Sequence, residues 1–156
     1  MRDDADGARL RGTRRDDDTT TRRPGLIRVT SPLPPEQEHL VTRIMDCAFA
    51  VHRILGPGFK ESIYERAMCL ELDAQGLKFE CEKKIEVRYK QWRIPGQRVD
   101  LLVEGVVLVE MKVVPRLRKV HSSQVLSYLK TLDLRIGLLF NFKAGMLKDG
   151  FRRVIR

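Results

Sequence analysis

Two segments in the first half of the chain carry apolar residues at helical spacing. The first begins near Pro35 and ends at Gly56 and Gly58, and its apolar positions are Leu40, Ile44, Cys47, Ala48, Val51 and Leu55. The second covers about residues 60–75 and stops at Gly76, with Ile63, Ala67, Leu70 and Ala74 on one face. Both patterns predict amphipathic helices that bury one face against a common core.

The following segment changes to a period of two, which is typical of strands. Its alternating positions, Phe79, Cys81, Ile85, Val87 and Tyr89, predict a strand with one solvated face, and Pro95-Gly96 predicts the turn that ends it. Two further strands are predicted in "RVDLLVEG" and "VVLVEMKVV", joined by a turn at Glu104-Gly105. The three strands therefore form a meander.

The last part of the chain predicts one helix and one or two strands. "KVHSSQVLSYLKTL" has helical spacing at Val120, Val125, Leu126 and Leu129, and "RIGLLFNF" is an apolar run typical of a strand buried on both faces. "LKDGFRRVIR" offers a final edge strand. This order predicts an α/β fold, with a mixed sheet of four or five strands flanked by helices.

Residues 1–35 differ from the rest of the chain, because short acidic and basic runs alternate there with Thr, Gly and Pro. Such a segment buries too little apolar surface to offset the entropy of ordering. We predict a disordered, charged tail at 1–35 and a single folded domain at 36–156.

The composition is that of a soluble globular protein, with 42% hydrophobic and 33% charged residues. Neither a membrane-spanning run nor the apolar core of a secretory signal is present in the sequence, so a cytoplasmic location is expected. The cysteines at 47, 69 and 81 lack metal-binding spacing, and we predict that all three are small buried residues.

The net charge of +9 favours polyanionic partners such as nucleic acid. A basic stripe on the first predicted hairpin has two open interpretations, a solvated strand edge or a contact to a nucleic-acid backbone. Its members are Lys83, Lys84, Arg88, Lys90 and Arg93.

Two charged residues interrupt the most apolar predicted strand. Glu110 and Lys112 point to one face of it, the face that also carries Val106 and Leu108, so both charges are expected to be partly desolvated. An ordinary ion pair is one interpretation. The other is a functional site, since a turn at Glu104-Gly105 brings Asp100 of the neighbouring strand close to residues 109–111. Carboxylates held together with hard oxygen ligands are typical of a Mg²⁺ site.

Asp100, followed after nine residues by Glu110-Met111-Lys112, resembles the signature of the PD-(D/E)XK nuclease superfamily, with Val99 in place of the proline. "GFKESIY", with Gly58, Glu61 and Tyr64, resembles the GxxExxY family within that superfamily, and "VHSSQVLSYL" resembles the helix that follows the active strand in many relatives. The resemblance covers about residues 37–155 and implies a restriction-endonuclease-like core.

The resemblance also implies roles for individual residues. Asp100, Glu110 and the backbone carbonyl of Met111 would hold Mg²⁺ or Mn²⁺, Glu61 would complete the metal shell, and Lys112 would orient the attacking water. Substrate contacts are implied for Gln124, Tyr128 and His121, although a polar helix margin explains the first two equally well, and a helix cap explains His121.

Three alternatives for the function follow. The first is a metal-dependent nuclease that hydrolyses phosphodiester bonds of DNA or RNA. The second is a catalytically silent module on the same fold that binds nucleic acid or protein, in one version as a subunit of a larger complex. A third alternative is a subunit that works only within such a complex, and a homodimer or a partner protein stays open in each case.

Overall fold

The computed structural model describes residues 33–156. Most of the predicted tail, residues 1–32, lies outside the described residues; Leu33 is buried against the core, and the first helix begins at Pro35. The order of elements confirms the sequence prediction. It comprises α1 (Pro35–Leu55), α2 (Glu61–Ala74), β1 (Phe79–Tyr89), β2 (Trp92–Val103), β3 (Val107–Lys112), α3 (Lys119–Leu132), β4 (Ile136–Asn141), a short 3-10 helix (Leu147–Gly150) and β5 (Phe151–Ile155).

The five strands form one mixed sheet in the order β1-β2-β3-β4-β5. Neighbouring strands are antiparallel except β3 and β4, which run parallel and are connected through α3. All six residues of β4 are buried, as its apolar composition predicts for an interior strand with both faces covered. The predicted α/β class and mixed sheet are therefore confirmed.

Helices cover both faces of the sheet. One core cluster joins α1 and α2 to the odd-numbered positions of β3, including Val109 and Met111, and the other joins α3 to Leu108. Gly137 lets α3 approach β4 closely, because a Cβ atom there would clash with the side chain of Val125. The sheet is thus the middle layer of three.

The helices bury faces that the sequence predicts only in part. Helix α1 packs as predicted, but α2 buries Tyr64, Met68 and Leu72 and leaves Ile63 and Leu70 exposed, contrary to the predicted face. The buried side carries an aromatic ring, so it covers the core with larger side chains than the predicted face offers. In α3, Val120 is also exposed. No helix within residues 33–156 is both long and apolar enough to cross a lipid bilayer.

The first hairpin turns at a different place from the predicted one. Tyr89 pairs with Trp92, so the turn is formed by Lys90-Gln91, and β2 continues through Pro95-Gly96. Lys90 adopts a left-handed conformation (φ 54°) in that turn. Pro95 is tolerated because this part of β2 pairs with β1 alone and does not need a second row of hydrogen bonds.

A simple period of two predicts that alternate residues of β1 and β2 all face the same helical layer. In the structure they do not, because the two strands change the layer that they face. Leu101 packs with α1 and α2, whereas Ile85 and Val99 pack with α3. The exchange occurs around Glu82 and Asp100, where Glu82 has a positive φ of 49° and the regular pairing is interrupted. This local twist releases Asp100 from the normal ladder.

One of the three predicted buried cysteines is exposed. Cys47 and Cys69 are buried, but Cys81 is exposed on β1, an edge strand that has a neighbour, β2, on one side only. The sulfur atoms of Cys69 and Cys81 lie 2.6 Å apart, and both thiols are free. The pair therefore connects α2 with β1.

Candidate active site

Asp100 lies where β2 and β3 separate. The two strands pair only from Leu101↔Val109 to Val103↔Val107. One residue beyond this ladder, Oδ2 of Asp100 accepts a hydrogen bond of 2.7 Å from the backbone N–H of Met111. The carboxylate therefore takes the position of a missing ladder bond, and the short distance agrees with the proximity that the sequence predicts.

We call the place where β2 and β3 separate, at Asp100 and Glu110, the fork. Glu110 and Lys112 lie on β3 at the fork and form a buried ion pair. Lys112 Nζ donates to Glu110 Oε1 at 2.6 Å, and the two side chains are only 16% and 4% exposed. The second carboxylate oxygen, Oε2 of Glu110, has no hydrogen-bond partner within residues 33–156. A buried carboxylate oxygen without a partner is costly unless a ligand completes it.

Helix α2 brings two further carboxylates to the fork. Glu61 is its first residue, and Glu65 lies one turn later on the same side. Carboxylate oxygens of Glu61, Glu65 and Asp100 all lie within 4.8 Å of one another, and Glu110 is outside this group. The sequence prediction omitted Glu65, although its four-residue spacing from Glu61 was visible as "ESIYE".

The loop before α2 is held by Tyr64. Its hydroxyl donates to the carbonyl of Gly56 at 2.7 Å and accepts from the N–H of Phe59 at 3.2 Å. The ring stacks on Phe142 with centroids 4.6 Å apart. These contacts fix the start of α2, and with it the position of Glu61.

The pKa values of the carboxyl groups at the fork are raised above their ordinary range. Burial, followed by the charge of Asp100, raises the pKa of Glu110 to about 7. Burial is also the main cause of the raised pKa values of Asp100, Glu61 and Glu65. Like charges that converge in a desolvated place require a compensating cation.

Lys112 remains a cation throughout the physiological pH range. Burial alone would lower its pKa, but the hydrogen bond and charge of Glu110, together with the charges of Asp100 and Glu61, outweigh burial and raise it. A permanently protonated amine donates hydrogen bonds and supplies positive charge. It does not accept a proton from water.

Helix α3 places Gln124 and Tyr128 on the opposite side of the fork. The Tyr128 hydroxyl accepts hydrogen bonds from the side-chain amides of Gln124 (2.7 Å) and Gln97 (2.6 Å). Both lone pairs are then used, so the hydroxyl proton is available for another acceptor. Burial and the nearby charge of Glu110 raise the pKa of Tyr128, which keeps that proton in place.

His121 lies at the start of α3, where its Nδ1 accepts a hydrogen bond of 3.0 Å from the backbone N–H of Arg118. It therefore acts as a cap, one of the two roles open from the sequence. Burial and the positive charges of Lys112 and Arg118 lower its pKa, so the ring is neutral at pH 7. Its Nε2 side is compatible with the predicted substrate contact, which stays a prediction.

Asn141 is a positioning residue that the sequence analysis missed. It pairs with Lys112 in the parallel ladder and is 2% exposed. Its side chain bonds both the N–H (3.0 Å) and the carbonyl (2.8 Å) of Val114. These bonds hold the chain directly after Lys112, at the end of β3.

The donor set fits a hard divalent cation. The carboxylates of Glu61, Glu65 and Asp100 converge at the fork. Glu110 is not in that group, but its buried Oε2 has no partner among residues 33–156 and is the kind of hard oxygen ligand that Mg²⁺ or Mn²⁺ takes. The side chain of Met111 is fully buried, so only its backbone can take part, and the role of its carbonyl as a ligand stays a prediction.

A pH dependence of stability follows from the raised pKa of Glu110. The folded state binds the proton more tightly than the unfolded state, so the free energy of unfolding of the metal-free protein falls as the pH rises from 5 to 8. Glu110 contributes about 3 kcal/mol to this loss at most. Urea denaturation in EDTA at both pH values should show a smaller loss for Glu110→Gln than for the parent.

The control for this experiment is Glu86→Gln, which changes an exposed carboxylate on β1. It should keep the pH dependence of the parent. A Glu110→Gln protein with the same dependence as the parent would contradict the assignment to Glu110.

A comparison with protein-family models matches residues 38–154 to the PD-(D/E)XK nuclease superfamily, a span of well over half the chain. The chain belongs to this superfamily. Its mixed five-stranded sheet with three helices is consistent with the restriction-endonuclease-like core of the family. Neither the search of curated proteins nor the search of solved structures finds a match. Membership implies a nuclease-like function and a nucleic-acid partner, and divalent-metal dependence is general among these nucleases.

Proposed function

We propose that this protein is a metal-dependent phosphodiesterase that hydrolyses DNA or RNA. The observation that carries the proposal is the unpartnered, buried Oε2 of Glu110, whose other carboxylate oxygen pairs with the Lys112 ammonium. A merely structural ion pair would be expected to satisfy both oxygens of its carboxylate. A site that binds a cation instead leaves one carboxylate oxygen without a protein partner, so that this oxygen can bind the metal.

Asp100, Glu110 and the Met111 carbonyl would hold Mg²⁺ or Mn²⁺, with Glu61 completing the shell. Glu65 joins this set because its carboxylate reaches those of Glu61 and Asp100. When bound, the cation supplies Lewis acidity at a phosphoryl oxygen and makes a coordinated water more acidic.

The remaining steps depend on protein side chains. Lys112 uses one of its three N–H donors on Glu110, and the other two orient the attacking water and stabilise the negative charge that develops on the phosphate. Tyr128 donates a hydrogen bond from its hydroxyl group to a phosphate oxygen, and Gln124 and Gln97 hold the phenolic oxygen in place. His121 lies nearby as a further neutral contact to the substrate.

Within the superfamily, we assign the chain to the GxxExxY branch and expect it in the cytoplasm. The support is the spacing of Gly58, Glu61 and Tyr64. Gly58 has a φ of 124° in the loop before α2, and Tyr64 fixes that loop. In this interpretation the glycine and tyrosine of the motif present the glutamate to the site.

Divalent cations are expected to stabilise the fold, because they bind only where the carboxylates have been brought together. At a metal concentration of 100 times Kd, the melting temperature should rise by roughly 5–10 °C. Differential scanning fluorimetry with Mg²⁺, Mn²⁺ and EDTA measures this shift. No shift at millimolar metal would contradict the proposal and favour the silent binding module.

The cleavage test uses single- and double-stranded DNA and RNA with Mn²⁺, each with the parent protein and with Asp100→Ala. We expect metal-dependent cleavage of at least one substrate by the parent and none by the variant. Equal cleavage by both proteins would identify a contaminant and overturn the proposal.

A further inference from the structure

The tip of the β1–β2 hairpin exposes four large apolar side chains on one face. Tyr89 pairs with Trp92, and Val87 pairs with Ile94, so the two pairs stand side by side. Their exposed fractions are 57% and 63% for the aromatic pair and 40% and 50% for the aliphatic pair. A contiguous exposed patch of this kind marks a binding surface more often than isolated exposed residues do.

This hairpin extends beyond the rest of the sheet. Strand β3 pairs with β2 only at residues 101–103, so at residues 92–99 β2 pairs with β1 alone. Trp92 is eight residues from Asp100 along β2, which is about 25 Å in extended chain. The apolar patch therefore lies well away from the fork. We call the part of the β1–β2 hairpin that carries it, residues 83–98, the arm, and β2 connects the arm directly to the fork.

The positive charge of the arm favours a negatively charged binding partner. Residues 83–98 contain six Lys and Arg residues and one Glu, a net charge of +5. Within the described residues, Lys84, Arg88 and Lys90 form no ion pair with a carboxylate. A second copy of this chain would bring the same positive charge against the arm, whereas a polyanion would neutralise it.

A groove leads from the arm towards the active site. It has a volume of about 760 Å³ and lies between the base of the hairpin and the end of α3, with Lys84, Arg93 and Arg98 in its lining. Gln97 also lines it and donates to the Tyr128 hydroxyl beside the fork. A groove with basic side chains of this kind can follow the phosphate backbone of a nucleic-acid strand.

We propose that the hairpin tip is a platform on which unpaired bases stack, with the attached phosphates following the basic groove to the active site. The inference rests on the proposed nuclease function and narrows its substrate to nucleic acid with a single-stranded stretch. Exposed Tyr and Trp rings stack on free base faces, and those faces are covered in an intact duplex. Tyr89 and Trp92 supply the stacking surface. Positive charge comes from Lys90, whose ammonium lies 5.5 Å from the centroid of the Tyr89 ring, and from Arg88 on the other face of β1.

Trp92 is the only tryptophan in the chain, so its fluorescence reports on the proposed site directly. We expect a single-stranded oligonucleotide to quench this emission in EDTA, where hydrolysis cannot occur. A blunt duplex of the same sequence should quench it much less. An unchanged emission with single strands, or equal quenching by the duplex, would overturn the proposal.

Variants separate stacking from charge, with binding followed by the anisotropy of a labelled single strand. Tyr89→Ala and Trp92→Ala should each weaken binding roughly 5- to 100-fold. Arg88→Gln should lower the slope of log K against log salt by about 0.7, because one phosphate contact is lost. Phe49→Ala, which removes an exposed aromatic ring from α1, is the matched control and should bind like the parent.

Two further measurements distinguish the failure of this inference from the failure of the proposed function. Hairpin variants should keep the Mg²⁺-dependent rise in melting temperature, which tests the fork alone. If they lose it, the hairpin acts through the fold and the platform is wrong. Sedimentation should find the parent and Trp92→Ala in the same oligomeric state; a dimer that dissociates in Trp92→Ala would assign the patch to a second copy instead.

Discussion

Lys112→Ala is expected to cleave nucleic acid at least roughly a thousandfold more slowly than the parent protein, while still binding the metal. The ammonium lies 2.6 Å from Glu110 and retains two donors for the water and the phosphate. Its raised pKa means that it contributes as a permanent cation. Removing it therefore removes charge stabilisation and orientation together.

The loss of catalysis must be distinguished from a loss of folding stability in the Lys112→Ala protein, since breaking a buried ion pair costs about 3–5 kcal/mol. Lys112→Met keeps most of the aliphatic stem and should fold better than the alanine variant, with the same catalytic defect. Lys130→Ala removes an exposed lysine from α3 and should cleave like the parent. Cleavage by either Lys112 variant at the parental rate would show that this amine is not part of the reaction.

The pH profile supplies an independent test of the same role. Because the pKa of Lys112 is raised, the parent should show no loss of activity from this group between pH 5 and 9.5. The rise in activity should instead follow the ionisation of the carboxylates, with Glu110 near pH 7 in the free protein. Steady-state rates from pH 5 to 9.5 measure the rise in activity near pH 7 and test whether activity is retained at alkaline pH.

The order of elements was predictable because long periodic segments and a short apolar run specify them strongly. The apolar residues at helical spacing in α1 and the continuous apolar run of β4 each strongly favour one type of secondary structure. The turn was misplaced because Pro95-Gly96 is a strong local turn signal, whereas Lys90-Gln91 is a weak one. Cross-strand pairing outweighed the local preference, and an edge position made the proline tolerable.

The core of the candidate site was also visible in the sequence, since Glu110 and Lys112 conflict with their apolar strand. Asp100 followed from the turn at Glu104-Gly105. What the sequence did not predict depends on tertiary geometry: the twist at Glu82 that frees Asp100, and the angle of α2 that brings in Glu65. Local patterns contain no information about either.

Asp100 links the two halves of the site, which makes its substitution the most informative change. Its carboxylate accepts from Met111 N–H and also lies with Glu61 and Glu65. Asp100→Asn keeps an oxygen for the Met111 bond and removes the charge. Asp100→Ala removes both, leaving a buried N–H without a partner at a cost of about 1–3 kcal/mol.

We expect Asp100→Asn to retain the parental stability in EDTA, or to exceed it above pH 7, because one of several repelling carboxylates is gone. The rise in melting temperature with Mn²⁺ should disappear, and cleavage should fall by roughly three orders of magnitude. Glu82→Gln changes a neighbouring exposed acid on β1 that pairs with Arg98 at 2.7 Å, and it should keep both properties. Calorimetric titration of Mn²⁺ into all three proteins, alongside melting curves, measures the difference. Undiminished Mn²⁺ binding by Asp100→Asn would remove Asp100 from the metal site and leave it as a bridge between β2 and β3 alone.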